Sequence, residues 1–273
     1  MFLTQTTAVI QDDSLPVYSL DAKLAAVLDL GPSLLFRAST RLVKGGALGE
    51  PAAGFGCINL ADESELVPGG ARHPTLTNTG ATGSGKALGF GWRGDLNFSP
   101  NNGWLQLSDD REHPISGDYS MAFCIFVPTE GQTAGNRGGI VFGARDDSDP
   151  SYFGVDYNEG DPRISHNGTG VEAPGAVGTF ITALTSYSLA NQRVKLFYNE
   201  QPPISAVGMP PWGADRRLII GATGATTASN YYLVGDVACG MVLGGKALGE
   251  ADNEVELAAV RAWLAQERAA ALT

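Results

Sequence analysis

Apolar and polar residues alternate in short runs along the second half of the chain. In the segment 118–127 apolar residues recur at every second position, so an extended chain places them on one face. They are Tyr119, Met121, Phe123, Ile125 and Val127. Further runs, each bounded by Gly, Pro, Asn or Asp, lie at 139–143, 152–157, 179–187, 193–199 and 217–221. Regularly spaced short strands separated by turns predict an antiparallel β-sandwich.

The same alternation predicts which side chains form the core. Residues at the inward phase of their strands are expected to lie between two sheets, where burial of apolar surface stabilises the fold. The five chosen on this basis are Phe123, Ile125, Leu196, Ile220 and Val237.

Near its end the chain changes from a strand pattern to a helix pattern. Residues 231–243 are apolar on both alternating faces, which is typical of a strand buried between two layers. A Gly-Gly pair ends this strand. Beyond it Leu257, Val260 and Leu264 fall at i, i+3 and i+7, one face of a helix. The spacing predicts a C-terminal helix with one packed face.

The first third of the chain has weaker periodicity. Apolar residues at 20, 24, 27 and 28 share one helical face, and Gly31-Pro32 ends the predicted helix. Residues 52–116 are rich in Gly, Asn, Thr and Pro, which indicates long loops and short edge strands. We therefore predict a docking or oligomerising N-terminal extension at 1–84, with one helix, and a β-sandwich at 85–273.

Composition and charge narrow the classes of partner. The 273 residues include 36 glycines, and only 17% are charged, which suits many short strands and turns. The net charge of −11 argues against binding to nucleic acid or to an anionic membrane surface, since both need a basic patch. No apolar run is long enough to insert in a bilayer, and Met1–Ile10 lacks a basic start, so we expect cytoplasmic synthesis without a cleaved signal.

The three cysteines, Cys57, Cys124 and Cys239, are odd in number and far apart in sequence. Two of them fall within predicted core strands. These positions favour free buried thiols over a disulfide framework or a zinc site.

Several segments near the C-terminus resemble the concanavalin A-like, laminin-G-like jelly rolls. The pieces that match are Gly235-Asp236, Lys246-Ala247-Leu248 and Trp263-Leu264, and the segment 193–203 is similar to the hairpin that precedes the last strands in that family. The resemblance covers roughly residues 118–264. It implies an antiparallel jelly-roll sandwich followed by a terminal helix, and it says little about activity.

A second resemblance lies near the N-terminus. Phe36-Arg37-Ala38-Ser39-Thr40 resembles a short module of bacteriophage tail fibres and other virion-surface proteins. That module usually carries an aspartate before a glycine, whereas Lys44 precedes Gly45 in this chain. The match implies a structural protein of a phage-like particle, made in the cytoplasm of a bacterial host and displayed on the virion surface.

Candidate ligand sites lie in predicted loops. Trp212, Tyr231 and Tyr232 could stack on the apolar faces of sugar rings, and the alternative is that they cover the sandwich or a subunit contact. A second candidate site is an acidic turn whose carboxylates could bind calcium, or could simply be solvated. Its members are Asp146, Asp147 and Asp149.

The sequence favours binding over catalysis. No predicted strand carries the paired carboxylates of hydrolytic relatives of the fold, and the three histidines are scattered. We expect a non-catalytic tail fibre, spike or decoration subunit that binds host cell-surface polysaccharide or another virion protein. A homo-oligomer is expected, with a trimer favoured. The alternatives are a polysaccharide hydrolase or lyase, which needs converging carboxylates, and a bacterial adhesion module, which needs an export signal.

Overall fold

A computed structural model gives the structure of the chain over defined segments. The residues it describes are 21–38, 42–44, 55–69, 75–77, 87–90, 104–127, 140–144, 152–158, 161–166, 171–174, 178–209, 212, 214–222, 233 and 235–272.

Short β-strands dominate the described part of the chain, and helices lie near its two ends. The helices are α1 (Ala22–Leu28), a 3-10 turn (Ala251–Asn253) and α2 (Glu254–Ala271). The strands of the first half are β1 (Leu34–Arg37), β2 (Val43–Lys44), β3 (Gly56–Ile58), β4 (Glu65–Pro68), β5 (Thr75–Thr77), β6 (Ala87–Phe90), β7 (Leu105–Leu107) and β8 (Tyr119–Val127). The strands of the second half are β9 (Ile140–Ala144), β10 (Tyr152–Asn158), β11 (Asp161–His166), β12 (Val171–Pro174), β13 (Thr179–Ser188), β14 (Arg193–Tyr198), β15 (Ile204–Val207), β16 (Leu218–Ile220) and β17 (Gly235–Gly244). Among the described helices, none has the length and apolar character needed to cross a membrane.

The strands form two antiparallel sheets. In the first sheet the order is β15-β14-β13-β8-β17-β6-β5, and β1 pairs with β17 beside β6. In the second sheet the order is β12-β11-β10-β9-β16-β7-β4-β3-β2. Neighbours such as β8 and β17 are distant in sequence, as the long connections of a jelly roll require. The prediction of a mainly β, antiparallel jelly-roll sandwich with a C-terminal helix is confirmed.

The main core lies between the two sheets. All five predicted core residues are 0–1% exposed and belong to it. They are Phe123, Ile125, Leu196, Ile220 and Val237. The prediction that these five side chains lie between the two sheets is therefore confirmed.

A second core lies between the outer face of the first sheet and the helices. Alternate residues of β8, such as Cys124 and Phe126, form one hydrophobic cluster there with Val27 of α1 and Trp263 of α2. The middle of this sheet is thus covered on both faces, which explains why the stretch that contains β17 is apolar at both phases. Leu24 and Val27 of α1 are buried as the helical pattern predicts.

Residues before the predicted boundary at residue 84 take part in both sheets, and the boundary itself stays a prediction. Strand β1 pairs with β17, β4 pairs with β7, and β5 pairs with β6, so the first 84 residues supply strands to both sheets. These strands are only two to four residues long, too short to show an alternation of their own. β1 and β4 pair with β17 and β7, which are distant in sequence, and a local pattern does not reveal such pairing.

The residues of the virion-like module are built into the fold. Phe36 is fully buried, and a Cβ added at Gly240 would lie 2.5 Å from its ring and 2.8 Å from that of Phe142. Gly240 thus permits a close contact between β1, β17 and β9. Ser39 and Thr40, the rest of the module, lie outside the described residues.

Arg37 connects β1 with both helices. Its Nη2 lies 3.0 Å from Oε1 of Glu267 on α2, and its Nη1 lies 3.9 Å from Oδ2 of Asp21. Asp21 caps α1 by accepting from the backbone N–H of Leu24, and it also accepts from Nε2 of Gln266. Burial raises the pKa of Glu267 in spite of the opposing charge of Arg37.

The cysteines are free and buried, which confirms the prediction for Cys57, Cys124 and Cys239. Burial raises the pKa of Cys57 to about 12 and also raises the pKa values of the other two thiols. All three are therefore uncharged at neutral pH and are part of the packing.

Candidate functional site

Trp212, one of the predicted glycan contacts, has a side chain that is 3% exposed and belongs to the core between the sheets. This position agrees with the alternative that Trp212 covers the sandwich. Tyr231 and Tyr232, the other predicted glycan contacts, lie outside the described residues.

The predicted calcium ligands, Asp146, Asp147 and Asp149, also lie outside the described residues. Within the described segments, no group of three or more His, Cys, Asp or Glu side chains is arranged to hold a metal ion.

Trp212 completes a buried cluster of aromatic and polar side chains at one end of the main core. The ring centroid of Tyr119 lies 5.9 Å from that of His166 and 6.1 Å from that of Trp212. The imidazole of His166 is held on both sides, with Nε2 3.0 Å from the Tyr119 hydroxyl and Nδ1 3.2 Å from Oγ1 of Thr185. His166, Tyr119 and Thr185 are each 0% exposed, so this network lies inside the core and orders it.

Two histidines are kept neutral by their surroundings. Burial lowers the pKa of His166 to about 3. Burial, together with the charge of Arg111, lowers the pKa of His113 to about 4, and its Nδ1 lies 2.8 Å from the hydroxyl of Ser33. Both imidazoles are therefore neutral at pH 7, with one ring nitrogen protonated and the other able to accept, and they act as structural hydrogen-bonding groups.

Because of these two histidines, we expect the protein to become less stable in mild acid. Their pKa values in the folded protein lie below the ordinary value of 6.5, so the unfolded chain takes up protons first. The stability that these histidines contribute to the free energy of unfolding is fully present above about pH 6.5. As pH falls towards their folded pKa values, this contribution decreases by up to about 1.4 kcal/mol per pH unit for each histidine. We expect urea unfolding between pH 7.5 and 5 to show this slope.

The matched variant for this prediction is His166→Gln, which cannot titrate in this range. It should be less stable at pH 7.5, because it disturbs the contacts with Tyr119 and Thr185. Its free energy of unfolding should nevertheless fall only about half as steeply with pH as that of the parent protein, since His113 is then the one of the two described histidines that still titrates. An unchanged slope would show that His166 is not neutral in the folded state.

An accessible cleft lies on the helix-covered face of the first sheet, between α2 and the strands β13 and β14. Its volume is about 230 Å³. Leu184, Phe197 and Leu264 supply apolar lining and are mostly buried. The polar lining residues include Asn199, Glu200, Arg261 and Arg268. We refer to this feature as the α2 cleft.

The turn after β14 forms one wall of the α2 cleft. Asn199 adopts a positive φ of 46°, a conformation that asparagine tolerates better than most residues. Its backbone N–H donates to the carbonyl of Thr182 at 2.8 Å, and its Oδ1 accepts from the N–H of Thr182 at 2.9 Å. These bonds fix the turn against β13 and hold Glu200 at the exposed side of the cleft.

The helix supplies two arginines to the opposite wall. Arg261 lies over the ring of Phe197, 5.7 Å from its centroid, and its Nη2 donates to the carbonyl of Asn199 at 3.3 Å. Nε of Arg268 donates to the carbonyl of Phe180 at 2.8 Å. Each guanidinium is thus oriented by a main-chain oxygen and retains N–H groups that can bind a ligand.

Arg261 and Arg268 have no carboxylate partner among the residues that the structure describes. Within the described part of the chain, other arginines form ion pairs, namely Arg37, Arg111, Arg193 and Arg217. Arg261 and Arg268 make no such pair there, and Glu200 lies too far from either to form one. The lining of the α2 cleft thus contains two arginines and one glutamate, and neither arginine forms an ion pair with an acid of the described residues, in a protein with a net charge of −11.

The sequence did not lead us to predict this cleft, although part of the signal is present. Arg261, Leu264 and Arg268 follow the i, i+3, i+7 spacing of one helical face, so the arginines flank an apolar position. The contribution of Asn199 and Phe197 depends on how α2 docks on the sheet, which the local pattern does not specify.

Comparisons with known proteins show the fold. No protein-family model and no curated protein matches the sequence. Among solved structures, a Trypanosoma rangeli sialidase in complex with 2,3-difluoro-KDN is similar with a TM-score of 0.50 and 8% identity, over 87% of this chain and 33% of the sialidase chain. A mutant of the same sialidase that displays trans-sialidase activity is similar with a TM-score of 0.50 and 10% identity, over the same shares of 87% and 33%.

The chain spans about a third of the length of these sialidases. A heptameric SAP-like pentraxin from Limulus polyphemus is a weaker match, with a TM-score of 0.39 and 12% identity over 52% of this chain and 69% of the pentraxin chain. At such low identities the likeness concerns the sandwich fold alone.

Proposed function

We propose that this chain is a non-catalytic recognition subunit on the surface of a bacteriophage-like particle, and that it binds host cell-surface polysaccharide through the α2 cleft. The observation that carries the proposal is the pair of oriented arginines beside the apolar lining of that cleft, Arg261 and Arg268, which form no ion pair within the described segments. Apolar surface with a few convergent polar groups is the usual make-up of a small-ligand site.

The assignment to a virion rests on the resemblance of residues 36–40 to the module of virion-surface proteins. Its first three residues have defined places in the fold, since Phe36 is a core residue, Arg37 connects both helices and Ala38 donates its N–H to the carbonyl of Ala238. The assignment to a binding role is supported by His113 and His166, whose burial keeps them from serving a dissolved substrate.

Binding by one copy is expected to be weak, because the α2 cleft offers only a few contacts. Several copies held in one assembly would raise the avidity a hundredfold or more, since each further contact is intramolecular. A homo-oligomer, with a trimer favoured, is therefore part of the proposal. Light scattering of the full chain at micromolar concentration should show a stable oligomer, and a monomer would contradict this part.

The experiment that tests the proposal combines a glycan array with a turnover assay. The full chain should be retained on one class of bacterial surface glycan, and incubation with that polysaccharide should release no reducing ends. Arg261→Gln should reduce retention about tenfold or more, the usual effect of losing a hydrogen bond to a charged group.

Lys23→Gln is the matched control, because it removes the same charge from an exposed position on α1 and should leave retention unchanged. Steady release of reducing sugar would favour the enzymatic alternative. Equal retention of the Arg261 variant and the parent protein would remove the α2 cleft from the proposal.

A further inference from the structure

The two arginines of the α2 cleft are spaced for an extended ligand. Arg261 and Arg268 are seven residues apart on one helix, which corresponds to about 10 Å along the helix axis. Each is held in place by a different carbonyl, Arg261 by Asn199 and Arg268 by Phe180. A small anion bound at one anchored guanidinium leaves the other available, whereas a chain molecule with repeated anionic groups can use both.

A glutamate on the same cleft further limits the class of ligand that fits it. Glu200 lines the α2 cleft, is exposed, and forms no ion pair within the described part of the chain. A ligand with anionic groups alone would be repelled by this carboxylate. A ligand with both anionic groups and hydroxyl donors would satisfy all three side chains, since a carboxylate accepts hydrogen bonds from hydroxyls.

Sugar acids combine these two features. We infer that the α2 cleft binds a carboxylate-bearing oligosaccharide, with its carboxylates on Arg261 and Arg268 and a sugar hydroxyl on Glu200. The planar guanidinium fork matches the two oxygens of a carboxylate, and prior orientation by the main-chain carbonyls lowers the entropy lost on binding. This inference rests on the proposed function and specifies the class of glycan.

Calorimetric titration of the full chain with a short oligogalacturonate tests the inference. The methyl ester of the same oligosaccharide is the matched ligand, because it keeps the hydroxyls and lacks the charge. We expect the acid form to bind and the ester to bind about tenfold or more weakly, with a comparable loss for Arg261→Gln and Arg268→Gln towards the acid form. Lys23→Gln should leave the affinity unchanged, and circular dichroism should show that all variants are folded.

Glu200→Gln separates recognition of a sugar acid from simple attraction of an anion. If Glu200 accepts a sugar hydroxyl, the substitution should lower the affinity for oligogalacturonate. If the cleft merely attracts anions, removing a negative charge should raise it, and inorganic phosphate should compete at equal concentration. Either of these last two results would overturn the inference.

The outcomes also distinguish this inference from the proposed function. Equal binding of the acid and the ester, with retention on the glycan array still lost in Arg261→Gln, would overturn the inference and leave glycan binding intact. No retention on any glycan would contradict the proposed function itself. If the arginine variants instead lose self-association in light scattering, the cleft holds a neighbouring copy, and the inference is wrong.

Discussion

Phe123→Ala is expected to lower the free energy of unfolding by about 3–5 kcal/mol, the usual cost of removing a buried aromatic side chain. Phe123 is 0% exposed, and its ring centroid lies 4.6 Å from that of Phe153 on the opposite sheet. The truncation removes contacts between the two sheets and leaves a cavity that the close-packed strands cannot easily fill. Urea unfolding at pH 7.5 measures the effect.

The control for this prediction is Val255→Ala on α2. Val255 is 81% exposed, so its truncation should change the free energy of unfolding by no more than about 0.5 kcal/mol. A loss under about 1 kcal/mol for Phe123→Ala would contradict the position of this ring between the sheets.

The core of the sandwich was predictable because it depends on a local pattern. Residues of β8 alternate, so Phe123 faces one core while Cys124 faces the other. The helices were also predictable, since Leu24 and Val260 occupy the buried faces that their spacing indicates. Local periodicity is sufficient where one element presents a whole face to the core.

The short strands of the first third were not predictable in the same way. Strand β5 has three residues and β2 has two, so neither shows an alternation that distinguishes a strand from a loop. Their place in the sheets follows from pairing with β6 and β3, and these partners become known only from the tertiary structure.

The candidate site was harder to predict than the fold. Trp212 follows two prolines, a context typical of an exposed loop, yet its ring packs beside Tyr119 and His166 in the core. The α2 cleft joins Arg261 to Asn199, which are 62 residues apart. The local sequence around an isolated aromatic residue or a helical arginine does not show which residues it contacts in the folded protein. The role of such a residue therefore depends on how the helices and strands pack together.

Arg37 is the ion-pair partner of a buried carboxylate, Glu267. Arg37→Ala is expected to lower the free energy of unfolding by about 3 kcal/mol at pH 8, the lower end of the range for breaking a buried ion pair. We use the lower end of the range because the side chain of Arg37 is still 23% exposed, whereas that of Glu267 is 6% exposed. Without Arg37, the carboxylate of Glu267 stays buried with no compensating charge.

The dependence of this loss on pH identifies its cause. Burial already raises the pKa of Glu267, and removal of Arg37 should raise it further. A carboxyl group with a raised pKa in the folded state destabilises the protein at high pH, and the penalty is relieved as pH falls through that pKa. The difference in the free energy of unfolding between Arg37→Ala and the parent protein should therefore shrink from pH 8 to pH 5. The loss of stability at low pH that the histidines cause is common to both proteins, so it cancels in this difference.

Two further variants complete the test. Glu267→Gln in the Arg37→Ala background should recover part of the lost stability, because a neutral amide is less costly to bury than an unpaired carboxylate. Arg37→Lys should lose less than Arg37→Ala, since it keeps a positive charge near Glu267 although it lacks the planar fork. A loss for Arg37→Ala that is independent of pH and is not reduced by Glu267→Gln would mean that Arg37 stabilises the helices by packing alone.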